Sequence, residues 1–159
     1  MFYKNVAPEI FGPYLFAGSH PALDKQDAEK KLALLSKQDI NIIYSLEKEN
    51  QQLIQQLWNN KHQVHQVHHI EDFQAPTDKQ LALITDNITE NILDQKKVFV
   101  HCRAGLGRTG TILAAVLINF TRCSAAEAIE IIRKKYNPSA IETKAQIDVL
   151  HRYTQARAP

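Results

Sequence analysis

The sequence predicts an α/β fold: one domain over residues 1–159, built on a central mixed sheet of four to five strands with helices on both faces. Three observations lead there. Short apolar segments rich in β-branched and aromatic residues alternate along the chain with longer segments whose apolar residues recur every three to four positions. INIIYSL and VFV are apolar almost throughout, as strands covered on both faces must be. The length of 159 residues is that of a single hydrophobic core.

Taken in order, PYLFAG reads as a short strand ended by Gly18. A helix follows from Asp24 to Ser36, with Ala28, Leu32 and Leu35 at helical spacing. INIIYSL is a buried strand. QQLIQQLWNN is a short helix with Leu53, Ile54, Leu57 and Trp58 on one side, and KHQVHQVHHI a more polar strand. Pro76 stops extended structure. Thr77 and Gln80 then form a T-x-x-Q capping box for a helix reaching Leu93. VFV is a strand, and a nearly all-apolar, hence buried, helix runs from Thr109 to Thr121. Ser124 and Glu127 cap the next helix, which turns Ala128, Ile129, Ile132 and Tyr136 inward and ends at Pro138. The last helix starts at Thr143, with Ile147 and Leu150 inward.

Composition narrows the functional classes. Hydrophobic residues make up 44% and charged residues 23%, the balance of a folded domain and not of a disordered one. The net charge of +2 does not suggest a nucleic-acid binder. The longest apolar run, Ile112–Ile118, falls far short of the ~20 residues of a membrane span. MFYKNVAPEI lacks the basic and apolar regions of a secretory signal, so the expected location is the cytoplasm, away from membranes. Two cysteines make no disulfide framework. Of only five glycines, Gly105, Gly107 and Gly110 fall within six residues.

Those glycines belong to VFVHCRAGLGRTG, a strand, a tight loop and a helix start. In an open α/β sheet this is where ligands bind. Successive backbone N–H groups of Arg103, Ala104, Gly105, Leu106, Gly107 and Arg108 can converge on an anion. Gly105 and Gly107 permit the backbone angles, and the helix aims its positive end at the same point. The Arg108 guanidinium can hold two oxyanion oxygens. Cys102 lies at the base of this positive field, which favours its nucleophilic thiolate. Thr109 can offer a hydroxyl to that sulfur. The six fixed positions of H-C-x-x-G-x-x-R-[ST]-G arise by chance in roughly one in a million chains of this length.

The loop resembles the signature of cysteine-dependent protein-tyrosine phosphatases, above all the small atypical dual-specificity group. HCRAGLGRTGT is similar to that group's loop, IEDFQAPT to its acid loop, SAIETKAQ to a segment near its C-terminus, and LFAGSHPAL to its early strand and turn. The resemblance spans residues 12–153. HCRAGLGRTG is also similar to the loop of cell-cycle phosphatases acting on phosphoserine-proline sites. The resemblance implies a phosphomonoesterase working through a cysteinyl-phosphate on Cys102, without metal or cofactor. Its partner would be a phosphorylated protein or peptide, and the protein a monomer. It implies a general acid at Asp72, 30 residues before Cys102, with Glu71 and Asp78 as competitors. His101 would brace the loop. Glu142 and Gln146 would belong to a segment that approaches the site, Gln146 positioning water, although Thr143 and Gln146 also form a T-x-x-Q capping box. Leu106 stands where phosphoinositide phosphatases tend to carry a second basic residue, which disfavours lipid substrates.

Other features have plainer readings. His62, His65, His68 and His69 lack the spacing that would put them on one strand face as a metal site. Arg133, Lys134 and Lys135 suit the end of a helix. Cys123 reads as a packing residue. Three rival functions stay open: a phosphatase for phosphoinositide, inositol phosphate or RNA 5′-phosphate; a sulfurtransferase or arsenate reductase, for which Asp72 would be dispensable; and a non-catalytic phosphate-binding module.

Overall fold

The computed structural model describes residues 2–58 and 63–157. The elements run β1 (Tyr3–Asn5), α1 (Pro8–Phe11), a short 3-10 turn (Gly12–Tyr14), β2 (Leu15–Gly18), α2 (Lys25–Lys37), β3 (Ile42–Ser45), α3 (Gln51–Leu57), β4 (Val64–Val67), α4 (Asp78–Leu93), β5 (Val98–His101), α5 (Gly107–Thr121), α6 (Ala125–Lys135) and α7 (Lys144–Ala156). Five strands form one mixed sheet in the order β1-β2-β5-β3-β4. β2, β5, β3 and β4 are parallel, and β1 closes one edge antiparallel to β2.

Alternation along the strands divides the interior in two. Leu15, Ala17, Ile42, Tyr44, Val98 and Val100 join the larger core, packed against α4–α7. Their neighbours Phe16, Ile43 and Phe99 point the other way, into a smaller core with Ala28, Leu32 and Leu35 of α2 and Ile54 of α3. Both faces being covered, three of the parallel strands are buried along their whole length. α5 is the central helix, buried without interruption from Gly107 to Ile118. Side-chain caps open α2 (Asp24), α4 (Thr77), α6 (Ser124) and α7 (Thr143, with Gln146 completing a capping box).

Four details differ from the sequence reading. Residues 3–11 add an edge strand and a one-turn helix that were not foreseen. Pro13 and Tyr14 belong to the 3-10 turn, so the expected PYLFAG strand begins only at Leu15. The polar KHQVHQVHHI segment contributes just Val64–Val67, at the sheet edge; its Lys61 and His62, like Asn59 and Asn60 of the preceding segment, lie outside the described residues. α5 begins at Gly107, two residues before the expected Thr109, so Arg108 is carried by its first turn. Among the described residues no single helix is long and apolar enough to cross a membrane.

Candidate active site

The parallel strands β2, β3, β4 and β5 all end on the same edge of the sheet, and the chain segments leaving them converge there. From β5 the backbone turns through 102–106 and enters α5 with no side-chain cap on its first turn. The free N–H groups of that turn therefore face the loop. Gly105 has φ +78°, and a Cβ there would lie 2.4 Å from the Gly18 carbonyl oxygen, so only glycine fits.

The orientation of the loop follows from where its carbonyls go. Cys102 O accepts from the His101 ring at 2.8 Å. Arg103 O accepts from His20 N–H at 3.0 Å, and Leu106 O from Gly110 N–H and Ile141 N–H. Gly105 O accepts from the Tyr136 hydroxyl at 2.6 Å. Across a trans peptide the N–H points opposite to the C=O. Carbonyls tied outward thus turn the N–H groups of Arg103, Ala104, Leu106 and Gly107 inward, as an anion-binding nest.

Cys102 and Arg108 are both almost fully buried, at 2% and 4% exposure. Arg108 Nη1 donates to Ile70 O at 2.8 Å, and its Nη2 lies 3.2 Å from Asp72 Oδ1. Asp72 is held in turn by the N–H of Phe73, a residue in the left-handed region at φ +63°. The two competing carboxylates have other partners: Glu71 pairs with His69 at 2.9 Å on the rim, Asp78 with Arg152 at 3.0 Å. The small cleft here, about 110 Å³, is lined by three fixed cations (Lys48, Arg103, Arg108) and four carboxylates (Glu47, Glu49, Glu71, Asp72).

Beneath the loop lies a buried polar chain. His101 and Ser45 are register partners on β5 and β3. Because Cys102 O only accepts, His101 Nδ1 carries the hydrogen, and burial pushes the imidazole down to about 3, so Nε2 is bare. Ser45 Oγ donates to that Nε2 at 2.5 Å and accepts from His65 Nε2 at 2.9 Å. Burial likewise pushes His65 down, to about 4. The His20 ring crosses that of His101 at 4.7 Å; its Nδ1 accepts from Ala22 N–H, leaving Nε2–H to donate to Glu49 O at 2.7 Å, with Glu47 Oε1 beside it at 2.9 Å.

The remaining expected residues divide. Arg103 is exposed and pairs with Glu49 at 3.2 Å, so it meets the nest through its backbone. Thr109 is buried in the first turn of α5, and its hydroxyl finds no partner among the described residues; the expected hydrogen bond to Cys102 is not made. Gln146 is fully buried and beside the loop: a Cβ on Gly107 would lie 3.0 Å from its amide nitrogen and 2.6 Å from Glu142 Oε1. Gln146 accepts from the N–H groups of Glu142 and Thr143 and donates to Gln74 O of the Asp72 loop at 3.2 Å. It thus caps α7 and ties two loops together. Among the described residues no cluster of three or more metal-ligating side chains exists. Ser45, His20, Glu47, Gln74 and Tyr136 were not picked out as site residues. The one available signal was a serine ending an otherwise apolar strand.

A buried cysteine opening an oxyanion nest, with a buried arginine on the helix turn that closes it, at the C-terminal edge of parallel strands, defines a cysteine-dependent phosphatase of the protein-tyrosine and dual-specificity superfamily. The chain belongs to the family described as polymorphic toxin system DSP-PTPase phosphatase, whose model matches residues 17–122. A 67-residue segment is 45% identical to mouse protein tyrosine phosphatase domain-containing protein 1, covering 42% of this chain but only 9% of that protein. An 85-residue segment is 29% identical to the phosphatidylglycerophosphate phosphatase PTPMT2 of Arabidopsis thaliana, covering 54% of this chain and 37% of that one. The crystal structure of Tk-PTP in its active form superposes with a TM-score of 0.76 at 30% identity, over 91% of this chain and 93% of that one.

Proposed function

We propose that this phosphatase hydrolyses phosphate monoesters on protein side chains, phosphotyrosine and also phosphoserine or phosphothreonine, through a cysteinyl-phosphate. The thiolate of Cys102 attacks phosphorus, a P–S bond forms and the ester P–O bond breaks. Asp72 gives its proton to the departing oxygen. Water then attacks phosphorus, Asp72 takes the proton back, and the P–S bond breaks to release phosphate and thiolate. Arg108 and the inward N–H groups hold the three equatorial oxygens through both transition states. The observation that carries this reading is the 3.2 Å approach of Asp72 Oδ1 to Arg108: of the three acidic candidates, Asp72 alone pairs with that guanidinium. A protein substrate is supported by the rim, where four carboxylates oppose three fixed cations and would repel a polyanionic headgroup.

The similarity to a phosphatidylglycerophosphate phosphatase supports a second reading, a lipid phosphate monoester. The test is hydrolysis of para-nitrophenyl phosphate with EDTA present, followed by phosphotyrosine and phosphoserine peptides and phosphatidylglycerophosphate vesicles. Wild type should be active, Cys102→Ser inactive, and Asp72→Asn slowed most on esters with poor leaving groups. Full activity in Cys102→Ser would sink the covalent mechanism. Preference for the vesicles would move the substrate to lipid.

A further inference from the structure

We infer that Tyr136 is a positioning residue of the phosphate loop, whose hydroxyl keeps the Leu106 N–H turned toward the bound phosphoryl group. The inference rests on the proposed phosphatase mechanism and extends it to a residue outside the signature.

The peptide between Gly105 and Leu106 is a soft point of the loop. Gly105 has φ +78° and no Cβ to hinder rotation of that peptide plane. Three other peptides of the loop are fixed by other means: those after Cys102, Arg103 and Leu106 have their carbonyls bound by the His101 ring, His20 N–H, and Gly110 and Ile141 N–H. Among the described residues, Gly105 O has the Tyr136 hydroxyl as its partner, at 2.6 Å and across 31 residues of chain. A carbonyl held outward there sends the Leu106 N–H inward.

Tyr136 is itself anchored. Its N–H closes α6 on Ile132 O at 2.9 Å, and its carbonyl accepts from Lys4 Nζ of β1 at 3.3 Å. It therefore joins the end of α6, the edge strand and the loop. Burial, reinforced by the charge of Cys102, pushes its phenol well above the usual tyrosine range, so it remains a proton donor throughout the working pH range. Its ring also walls a cavity of about 330 Å³ behind Ala104 and Leu106.

The test is Tyr136→Phe, which keeps the ring and removes the donor. Removing one donor from an oxyanion site costs roughly 100- to 1000-fold in rate. Here the N–H is loosened and not deleted, so kcat/KM on para-nitrophenyl phosphate should fall roughly tenfold. The inhibition constant of vanadate, which mimics the transition state, should rise in step, while the melting temperature falls by only a few degrees, the cost of one unpaired carbonyl. Values of kcat/KM and vanadate inhibition within twofold of wild type would overturn the inference. So would losses that track a lowered melting temperature and disappear on cooling. A second measurement needs no variant: saturating wild type with inorganic phosphate should move the Leu106 amide proton resonance downfield, and an unmoved resonance would overturn the inference too. Inactive wild type, or active Cys102→Ser, would instead refute the phosphatase mechanism, so the two failures are distinguishable.

Discussion

Replacing Ser45 by alanine tests the polar chain under the loop. Ser45 Oγ has no solvent exposure; it donates to His101 Nε2 at 2.5 Å and accepts from His65 Nε2 at 2.9 Å. In Ser45→Ala the fully buried Nε2 of His101 loses the donor it has among the described residues, at a cost of ~1–3 kcal/mol. His65 is only partly buried and recovers a water, adding ~0.5 kcal/mol. The sum, roughly 1.5–3.5 kcal/mol, corresponds to a drop of about 3–14 °C in melting temperature for a domain of this size. Urea unfolding at neutral pH measures it, with an unchanged m-value expected. Ser45→Thr, which keeps the hydroxyl, should lose less. kcat/KM should fall as well, because a freed His101 ring no longer holds the Cys102 carbonyl, and with it the Arg103 N–H, in place. A loss below about 0.5 kcal/mol, or equal losses in alanine and threonine variants, would refute the reasoning that the chain is energetically connected.

The same histidines predict acid sensitivity. Burial holds His101 at about 3 and His65 at about 4, and lowers His68, against the ordinary ~6.5 of the unfolded chain. The unfolded state thus binds the extra protons: the stability is fully present above about pH 6.5 and is lost as pH falls through the window below it. Each group contributes at most ~1.4 kcal/mol per pH unit, less for the partly exposed His65 and His68. Urea unfolding between about pH 7 and pH 5 should show the slope, and His65→Gln should flatten it; pH-independent stability would contradict it. Gly105→Ala puts a Cβ 2.4 Å from Gly18 O at φ +78° and should cost roughly 2–4 kcal/mol together with most phosphate inhibition; a stable variant with wild-type inhibition would contradict the loop geometry. Gln146→Ala unties the Asp72 loop, so phenyl phosphate turnover should drop more than para-nitrophenyl phosphate turnover; an unchanged ratio would leave Gln146 as a helix cap alone.

Much of this molecule could be read from the chain because local and global signals agree. β3, β5 and α5 announce themselves by unbroken apolar runs, and Thr77, Ser124 and Thr143 open their helices where the caps lie. The loop was legible because glycines, cysteine and arginine rarely share such spacing. What escaped was long-range. β1 has three residues and exists only through its pairing with β2. Ser45 becomes informative once the register sets it beside His101. Tyr136 has the apolar periodicity of a core residue, and only the fold reveals that its hydroxyl reaches back to Gly105. The hydroxyl of Thr109, expected at the Cys102 sulfur, is instead buried without a partner among the described residues, in a helix that starts two residues earlier than its sequence announces.

The pairing of Asp72 with Arg108 has a consequence for which anions the loop admits. Arg108 already holds a carboxylate, so on the proposed mechanism an arriving oxyanion exchanges for Asp72 on the guanidinium instead of adding to a bare cation. Singly charged anions such as chloride or acetate gain little by such a swap. A phosphate dianion brings more charge, and enough oxygens to occupy Arg108 and the nest at once. The loop then behaves as an ion exchanger with a threshold, and the carboxylate it displaces is the group that, once it has taken up a proton, serves the leaving oxygen.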